Sequence, residues 1–232
     1  MRFLLLTALL GAAPAFAQAD TLAVVPGDGT LVTDWITPGT RSYTLRLVQP
    51  MQQDVGTSTE TIVLDGGEVI RTTVLSVPMQ GMEQRDSLRA EAATLMPLLN
   101  RSGGGAAEVS LEFMAEGVVG TSTPRGGETE TIMEMTDAPV FDGSWIGDIA
   151  QSLPFAEGLV AKAPVFTAQG GFIDAVMTVT GQETVGDRTG WTVEIDLGPQ
   201  TLTQVVDAET REMLVLRLSP QPGVVIEMTP TD

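Results

Sequence analysis

The sequence predicts an all-β protein: a single curved antiparallel sheet, or an incomplete β-barrel, with one short helix packed on the concave side. Segments in which apolar and polar residues alternate recur about every 8 to 12 residues, and Gly, Pro and Asp separate them. Such alternation is typical of half-buried strands, because successive side chains point to opposite faces of a sheet. One segment, residues 142–153, instead repeats large apolar residues at every fourth position, as a helix requires.

The N-terminus has the three parts of an export signal. Arg2 provides a positive charge, residues 3–10 are apolar, and Ala15-Phe-Ala17 matches a small-x-small cleavage site. Residues 1–17 are therefore predicted to be a signal peptide, with cleavage near Ala17/Gln18 and delivery to the periplasm of a Gram-negative bacterium. The apolar run is shorter than the roughly 20 residues of a transmembrane helix, and no later run reaches that length, so no transmembrane segment is expected.

Strands dominate the predicted structure before the helix. In segment 42–48, Tyr43, Leu45 and Leu47 share one face, and the residues between them are polar. Asp65-Gly-Gly67 predicts a hairpin between two β-rich runs, since Gly tolerates the positive φ of a tight turn. The strands predicted in this part of the chain are 21–25, 42–48, 57–64, 68–77, 109–113, 118–123 and 128–135.

Residues 82–101 have a mixed pattern. The stretch 88–96 is rich in helix-forming residues, whereas 83–88 alternates weakly. We expect a strand that runs into an irregular turn at Pro97, because the neighbours on both sides are strands and a β-meander connects neighbouring strands locally. Gly103-Gly-Gly105 is expected to end this segment.

The predicted helix begins at an N-cap and ends at a proline. Asp142 or Ser144 can accept hydrogen bonds from the free backbone N–H groups of the first turn, and Pro154 cannot continue the helix. Two glycines within about three turns make the helix marginal alone, so it must bury its apolar face against the sheet. That face consists of Trp145, Ile149 and Leu153.

Alternating segments resume after the helix and continue to the end of the chain. The chain has no internal repeat, no low-complexity tract and no long linker, so residues 18–232 are expected to form one domain. The predicted strands are 159–166, 172–185, 191–195, 202–207 paired with 213–218, and 224–228.

Composition excludes several functions. The chain has no Cys and no His, which removes disulfides, thiol chemistry and the commonest general base and metal ligand. The formal net charge is −18 and Lys162 is the only lysine, which disfavours binding to nucleic acid and to anionic headgroups. No metal or cofactor is expected, because no calcium-binding D-x-D-x-D-G loop occurs and the methionines suit core positions.

Short segments spread over most of the mature chain resemble one known family. They are Thr180-Gly-Gln-Glu-Thr-Val185, Trp191-Thr-Val193, Asp207-Ala-Glu-Thr-Arg211 with Leu214-Val-Leu216, Phe141-Asp142, Leu153-Pro-Phe155, Asp86-Ser-Leu88 and Thr94-Leu-Met-Pro97. Together they resemble the exported bacterial domain-of-unknown-function family 3108. The resemblance implies a fold similar to the periplasmic lipoprotein carriers, with a curved antiparallel sheet around a hydrophobic cavity and helical cover. The family has no established reaction, so the resemblance implies no catalytic residues.

The sequence favours a non-catalytic binding module for an apolar ligand such as a lipid or acyl chain. Eleven Met, many Val, Leu and Ala, and few aromatic residues suit an adaptable apolar concavity. The residues expected to line the space between sheet and helix are Trp145, Ile149, Leu153, Val109, Leu111, Phe113, Trp191 and Val193.

Two alternatives remain open. The same residues can form a filled core, in which case the protein is an envelope interaction or structural protein that engages a partner through a strand edge or its acidic face. A carboxylate-based hydrolase would instead need a converging pair such as Asp142 with Asp148, or Glu183 with Asp187. Among 30 acidic residues such pairs arise by chance, and Asp142 is explained as a helix cap, so no enzymatic activity is expected.

Overall fold

A computed structural model describes residues 21–198 and 200–231, and within them sixteen strands form one sheet. Within these residues the sheet does not close into a barrel by hydrogen bonds, and one short helix packs on its concave side, so the predicted fold class is confirmed. The predicted signal peptide, residues 1–17, lies outside the described residues. Within the described residues, no helix has the length and apolar character needed to cross a membrane.

The strands and the helix have the following bounds. They are β1 Leu22–Ala23, β2 Gly39–Gln49, β3 Gln53–Asp65, β4 Glu68–Val77, β5 Met82–Glu91, β6 Pro97–Gly103, β7 Ala107–Met114, β8 Gly117–Pro124, β9 Glu130–Met135, β10 Phe141–Asp142, α1 Ile146–Gln151, β11 Val160–Thr167, β12 Gly171–Val185, β13 Arg188–Asp196, β14 Thr201–Asp207, β15 Met213–Gln221 and β16 Val224–Pro230.

Two antiparallel meanders make up the sheet. Strands β2 to β9 pair in sequence order before the helix, and β11 to β16 pair in sequence order after it. Strand β16 then pairs antiparallel with β2, where Met228 is opposite Leu45 and Ile226 is opposite Leu47. The last strand of the chain therefore joins the two meanders at the middle of the sheet.

The sheet contains two short parallel pairings that the sequence analysis did not predict. Residues Leu22 and Ala23 of β1 pair in parallel with β11, and so do Phe141 and Asp142 of β10. A purely antiparallel sheet was expected, and that detail is wrong. A short hairpin turn joins two strands in antiparallel orientation. Neither β1 nor β10 is joined to β11 by such a turn, so parallel pairing is possible for both.

The helix is shorter than the predicted segment 142–153. Asp142 accepts a hydrogen bond from the backbone N–H of Ser144 at 2.9 Å, which confirms the predicted cap. The first turn, Gly143–Trp145, is a 3₁₀ turn, and α1 itself covers Ile146–Gln151. Short 3₁₀ turns commonly begin α-helices, and a segment with two glycines gains little from extending further.

The mixed segment 82–101 forms two strands. Strand β5 confirms the expectation of a strand over a helix, but β6 begins at Pro97, where an irregular turn was predicted. Proline is tolerated as the first residue of a strand. The turn between the strands contains Leu95, whose φ is +54° and whose side chain is fully buried in the core.

The core has two main clusters, and a third group of Val205, Leu214 and Val215 lies apart from both. The larger lies between α1 and the sheet and contains Trp145, Ile149 and Leu153. The smaller lies near the end of the sheet formed by β7 and β8. There the rings of Phe113 and Phe166 meet edge to face at 6.5 Å, so side chains bring β7 and β11 together although hydrogen bonds do not.

Ile149→Ala should destabilise the protein by about 2–5 kcal/mol, because the side chain is fully buried between α1 and the sheet and its loss leaves a cavity. Urea unfolding of the mature protein measures this change. The matched variant Met79→Ala removes an apolar side chain that is 74% exposed and should shift stability by less than about 0.5 kcal/mol. Equal effects of the two substitutions would contradict the assigned packing of α1.

Candidate functional site

A buried arginine lies beneath the helix. Arg71, on the concave face of β4, donates to the carboxylate of Asp148 and to the backbone carbonyl of Ser144. Its guanidinium carbon lies 4.6 Å from the ring centroid of Trp145, and Nη1 is 3.9 Å from a carboxylate oxygen of Glu60. One side chain from the sheet therefore contacts both the 3₁₀ turn and α1.

The carboxyl group of Asp148 is held in an apolar environment. Burial raises its pKa to about 6, and the neighbouring guanidinium of Arg71 offsets part of the rise. Glu60 adds a second negative charge nearby and raises the pKa further. The ion pair thus holds α1 at the cost of removing two charges from water.

A second cluster of polar side chains surrounds the start of the 3₁₀ turn. Asn100 on β6 donates from Nδ2 to Asp142 at 2.7 Å and to the hydroxyl of Ser144 at 3.2 Å. Burial raises the pKa of Asp142, although the hydrogen bonds from Ser144 and Asn100 oppose the rise. The Oδ1 atom of Asn100 is buried and has no hydrogen-bond partner among the described residues.

A second arginine holds the other end of the helix. Arg211, in the turn between β14 and β15, donates from Nη1 to the carbonyl oxygens of Gln151 at 2.8 Å and Leu153 at 2.9 Å. Its guanidinium also stacks over Phe155 at 4.8 Å. A cation at the C-terminus of a helix satisfies carbonyl groups that the helix leaves free.

A cleft of about 500 Å³ opens beside the 3₁₀ turn, and we call it the main cleft. It lies between β6, β7, the turn joining β11 to β12, and the segment after β13. Its apolar lining consists of Val109, Leu111, Ile173 and Leu197. Polar residues lie among them, since Asn100 pairs with Leu111 and Ser102 with Val109 across the two strands. The other polar lining residues are Asp142, Ser144, Thr167, Gln169 and Gln200.

A smaller cleft of about 220 Å³ lies on the other flank of α1, and we call it the side cleft. Its lining combines the polar groups around Arg71 with apolar residues of the sheet. Cross-strand register extends this apolar surface across β15, β16 and β2 in two rows of half-buried side chains. These rows are Leu216, Met228 and Leu45, and Leu218, Ile226 and Leu47.

The eight residues predicted to line the interior do not all share one cluster. Five belong to the larger core cluster or pack against it: Trp145, Ile149, Leu153, Val193 and Trp191. The other three, Val109, Leu111 and Phe113, belong to or pack against the smaller cluster. Val109 and Leu111 also line the main cleft, although Leu111 is only 1% exposed, and the three helix residues are closed from solvent.

Sequence reasoning missed Arg71 and Arg211. A signal for Arg71 was present, because it is in phase with the buried Val69 on β4 and a charged residue at an inward position predicts a partner. No comparable signal existed for Arg211. Its contacts depend on a positive φ of +61° and on a helix end nearly 60 residues away in the chain.

The carboxylate pairs considered for hydrolysis have other partners. Glu183 forms two hydrogen bonds with Arg217, at 2.6 Å and 2.9 Å, which lower its pKa. Asp142 caps the helix start, and Asp148 pairs with Arg71. In the described part of the chain, no three acidic side chains cluster in a way that could hold a metal ion.

A model of the family described as "Protein of unknown function (DUF3108)" matches residues 40–228. The match spans most of the sequence, so the chain belongs to this family, and the resemblance seen in the sequence is confirmed. No protein with a curated description matches the sequence.

The raised pKa of Asp148 predicts a pH dependence of stability. A carboxyl with an ordinary pKa of 3.8 and a folded pKa of about 6 favours folding most when protonated, and this contribution is lost as pH rises through about 6. Wild-type protein should therefore lose on the order of 3 kcal/mol relative to Asp148→Asn between pH 4 and pH 7. Urea unfolding at several pH values measures the difference, and parallel curves for the two proteins would disprove it.

Proposed function

We propose that this member of the DUF3108 family is a periplasmic, non-catalytic binding protein whose main cleft holds an amphipathic molecule with an acyl chain, such as a lipid. The observation that supports the proposal most directly is the main cleft itself. Its volume of about 500 Å³ falls within the range of about 300–1,000 Å³ that is common for small-molecule sites.

The lining of the main cleft suits a molecule with both apolar and polar groups. Val109, Ile173 and Leu197 offer aliphatic contacts to a hydrocarbon chain, and Leu111, which is 1% exposed, packs behind them. Asn100, Asp142 and Ser144 gather hydrogen-bonding groups at the helix start. A headgroup that donates hydrogen bonds fits this end, because the Asp142 carboxylate is an acceptor.

The ligand binds beside the helix rather than beneath it. Trp145, Ile149 and Leu153 are at most 1% exposed and leave no surface for a ligand. The space between sheet and helix is therefore a filled core, and the apolar ligand of the sequence-based hypothesis occupies the main cleft at its flank. A filled core also keeps open the second candidate, an envelope protein that binds a protein partner.

A binding role is favoured over catalysis because the buried carboxylates already serve the structure. Asp142 is fixed by a cap and an amide, and Asp148 is fixed by Arg71. A general acid or base must lie within hydrogen-bond reach of the substrate and be able to give or take a proton. Carboxylates held in this way position the helix and the cleft wall.

Export to the periplasm follows from residues 1–17. Expression of the full chain in a Gram-negative host should yield periplasmic protein whose intact mass lacks these residues. Fractionation and mass spectrometry measure this outcome, and Ala17→Asp, which spoils the small-x-small site, should retain the full-length mass. Full-length wild-type protein confined to the cytosol would contradict the assignment.

Val109→Trp should reduce uptake of a fluorescent long-chain fatty acid by about tenfold or more, because the indole fills the apolar part of the main cleft. Val63→Trp is the matched control, since Val63 is 47% exposed and lies outside the cleft. Urea unfolding should show that both variants remain folded.

Native mass spectrometry of mature protein, purified from periplasm without detergent, complements the uptake measurement. An adduct of lipid mass that Val109→Trp loses and Val63→Trp keeps supports the main cleft as the site. Equal uptake by both variants would remove the main cleft as the site. If the spectrum still shows no adduct after incubation with membrane lipids, the proposed lipid binding is disproved.

A further inference from the structure

The two edges of the sheet differ in their protection. At one edge, β1 and β10 pair with β11 and cover part of its outer side. At the other edge, β9 pairs with β8 alone among the described residues. An unpaired edge strand presents free backbone groups that can accept another strand.

The register shows which backbone groups of β9 face outward. Thr136 donates its backbone N–H to Glu116 at 2.9 Å, so this pair is a hydrogen-bonded one. Hydrogen-bonded and non-bonded pairs alternate along an antiparallel ladder. Since the β8–β9 register has no bulge, the backbone N–H and C=O groups of Thr131, Met133 and Met135 point away from β8.

The side chains of β9 divide by charge between the two faces. Met133 and Met135 lie on the convex face and are 71% and 61% exposed. Ile132 lies on the concave face, where it packs against the smaller core cluster, and the exposed Glu130 and Glu134 flank it. The edge therefore offers methionines on one side and carboxylates on the other.

More acidic residues surround this edge. Glu116, Glu128 and Asp137 are exposed near the ends of β9. Among the described residues, none of these three, nor Glu130 or Glu134, forms a salt bridge. The cationic residue nearest to β9 in sequence is Arg125, in the turn before this strand.

We propose that the outer edge of β9 binds an extended segment of a partner protein by strand addition, and that this segment alternates basic and apolar residues. Backbone hydrogen bonds to Thr131, Met133 and Met135 would hold the added strand, as in other complexes formed by strand addition. Its basic side chains would lie beside Glu130 and Glu134, and its apolar side chains would lie beside the methionines.

Charge complementarity decides the kind of occupant. A second copy of this chain would bring the same carboxylates to the edge, and a formal net charge of −18 on each molecule opposes their approach. Carboxylates at an edge also keep identical strands apart. A basic segment would be attracted by these carboxylates, and its apolar side chains would make contacts with the exposed methionines.

The test uses the mature protein and labelled peptides of alternating Lys and Val. Fluorescence anisotropy should detect saturable binding of this peptide and none of an alternating Glu and Val peptide. Amide hydrogen exchange gives a second measurement, because the outward amides of Met133 and Met135 should be protected only when the Lys and Val peptide is bound. Absence of binding by the Lys and Val peptide would overturn the proposal.

Paired variants separate strand addition from general attraction to an acidic protein. Glu130→Gln with Glu134→Gln should weaken binding by about threefold to tenfold, whereas Glu157→Gln with Glu209→Gln changes net charge equally at distant exposed positions and should have little effect. Met133→Pro should weaken binding by about fivefold, since it removes an outward N–H that β8 does not use.

Met133→Thr keeps the outward N–H and serves as the control for the proline. Urea unfolding checks that each variant is folded. Equal weakening by both glutamine pairs, or binding without protection of the Met133 and Met135 amides, would show that the peptide associates through net charge alone and would overturn strand addition at β9.

Discussion

The buried ion pair between Arg71 and Asp148 constrains the rest of the structure. A helix of six residues that contains Gly147 and follows Gly143 has little stability of its own, so its position depends on contacts with the sheet. Arg71 supplies them at the start of the helix, and Arg211 supplies them at its end. Removal of the Arg71 charge would leave the carboxylate of Asp148 buried without its partner, and breaking a buried pair in this way typically costs about 3–5 kcal/mol.

The position of the helix in turn determines where the clefts on the concave side lie. Because Trp145 and its neighbours on the helix face fill the centre of the concave side, the main cleft and the side cleft lie at the flanks of the helix. Asp142 and Ser144 belong to the helix start and also to the wall of the main cleft. The contacts that fix the helix therefore also shape the cleft, and loss of the helix would both open the core and displace Asp142 and Ser144 from the cleft wall.

An unclosed sheet leaves edges that a barrel would not have. Contact between Phe113 and Phe166 brings the two ends of the sheet together through side chains, which seals the core without pairing β9. At this edge, carboxylates lie beside exposed methionines, and charged side chains on an edge strand disfavour pairing between identical chains. The proposed ligand site at the main cleft and the proposed strand addition at β9 use different surfaces, so either proposal can hold without the other.

The sequence by itself determined the strand-rich class, the hairpin at Asp65-Gly-Gly67 and the cap at Asp142, because alternation, turn residues and caps act between close neighbours in the chain. It also indicated that Trp145, Ile149 and Leu153 are buried, since helical period places them on one face. Only the tertiary structure decided that β16 pairs with β2, that Arg71 meets an aspartate 77 residues away, and that Val109 and Leu111 line a cleft while the helix face fills a core. These relations join segments distant in the chain, and the periodicity of a segment reports which face is buried but not what lies against it.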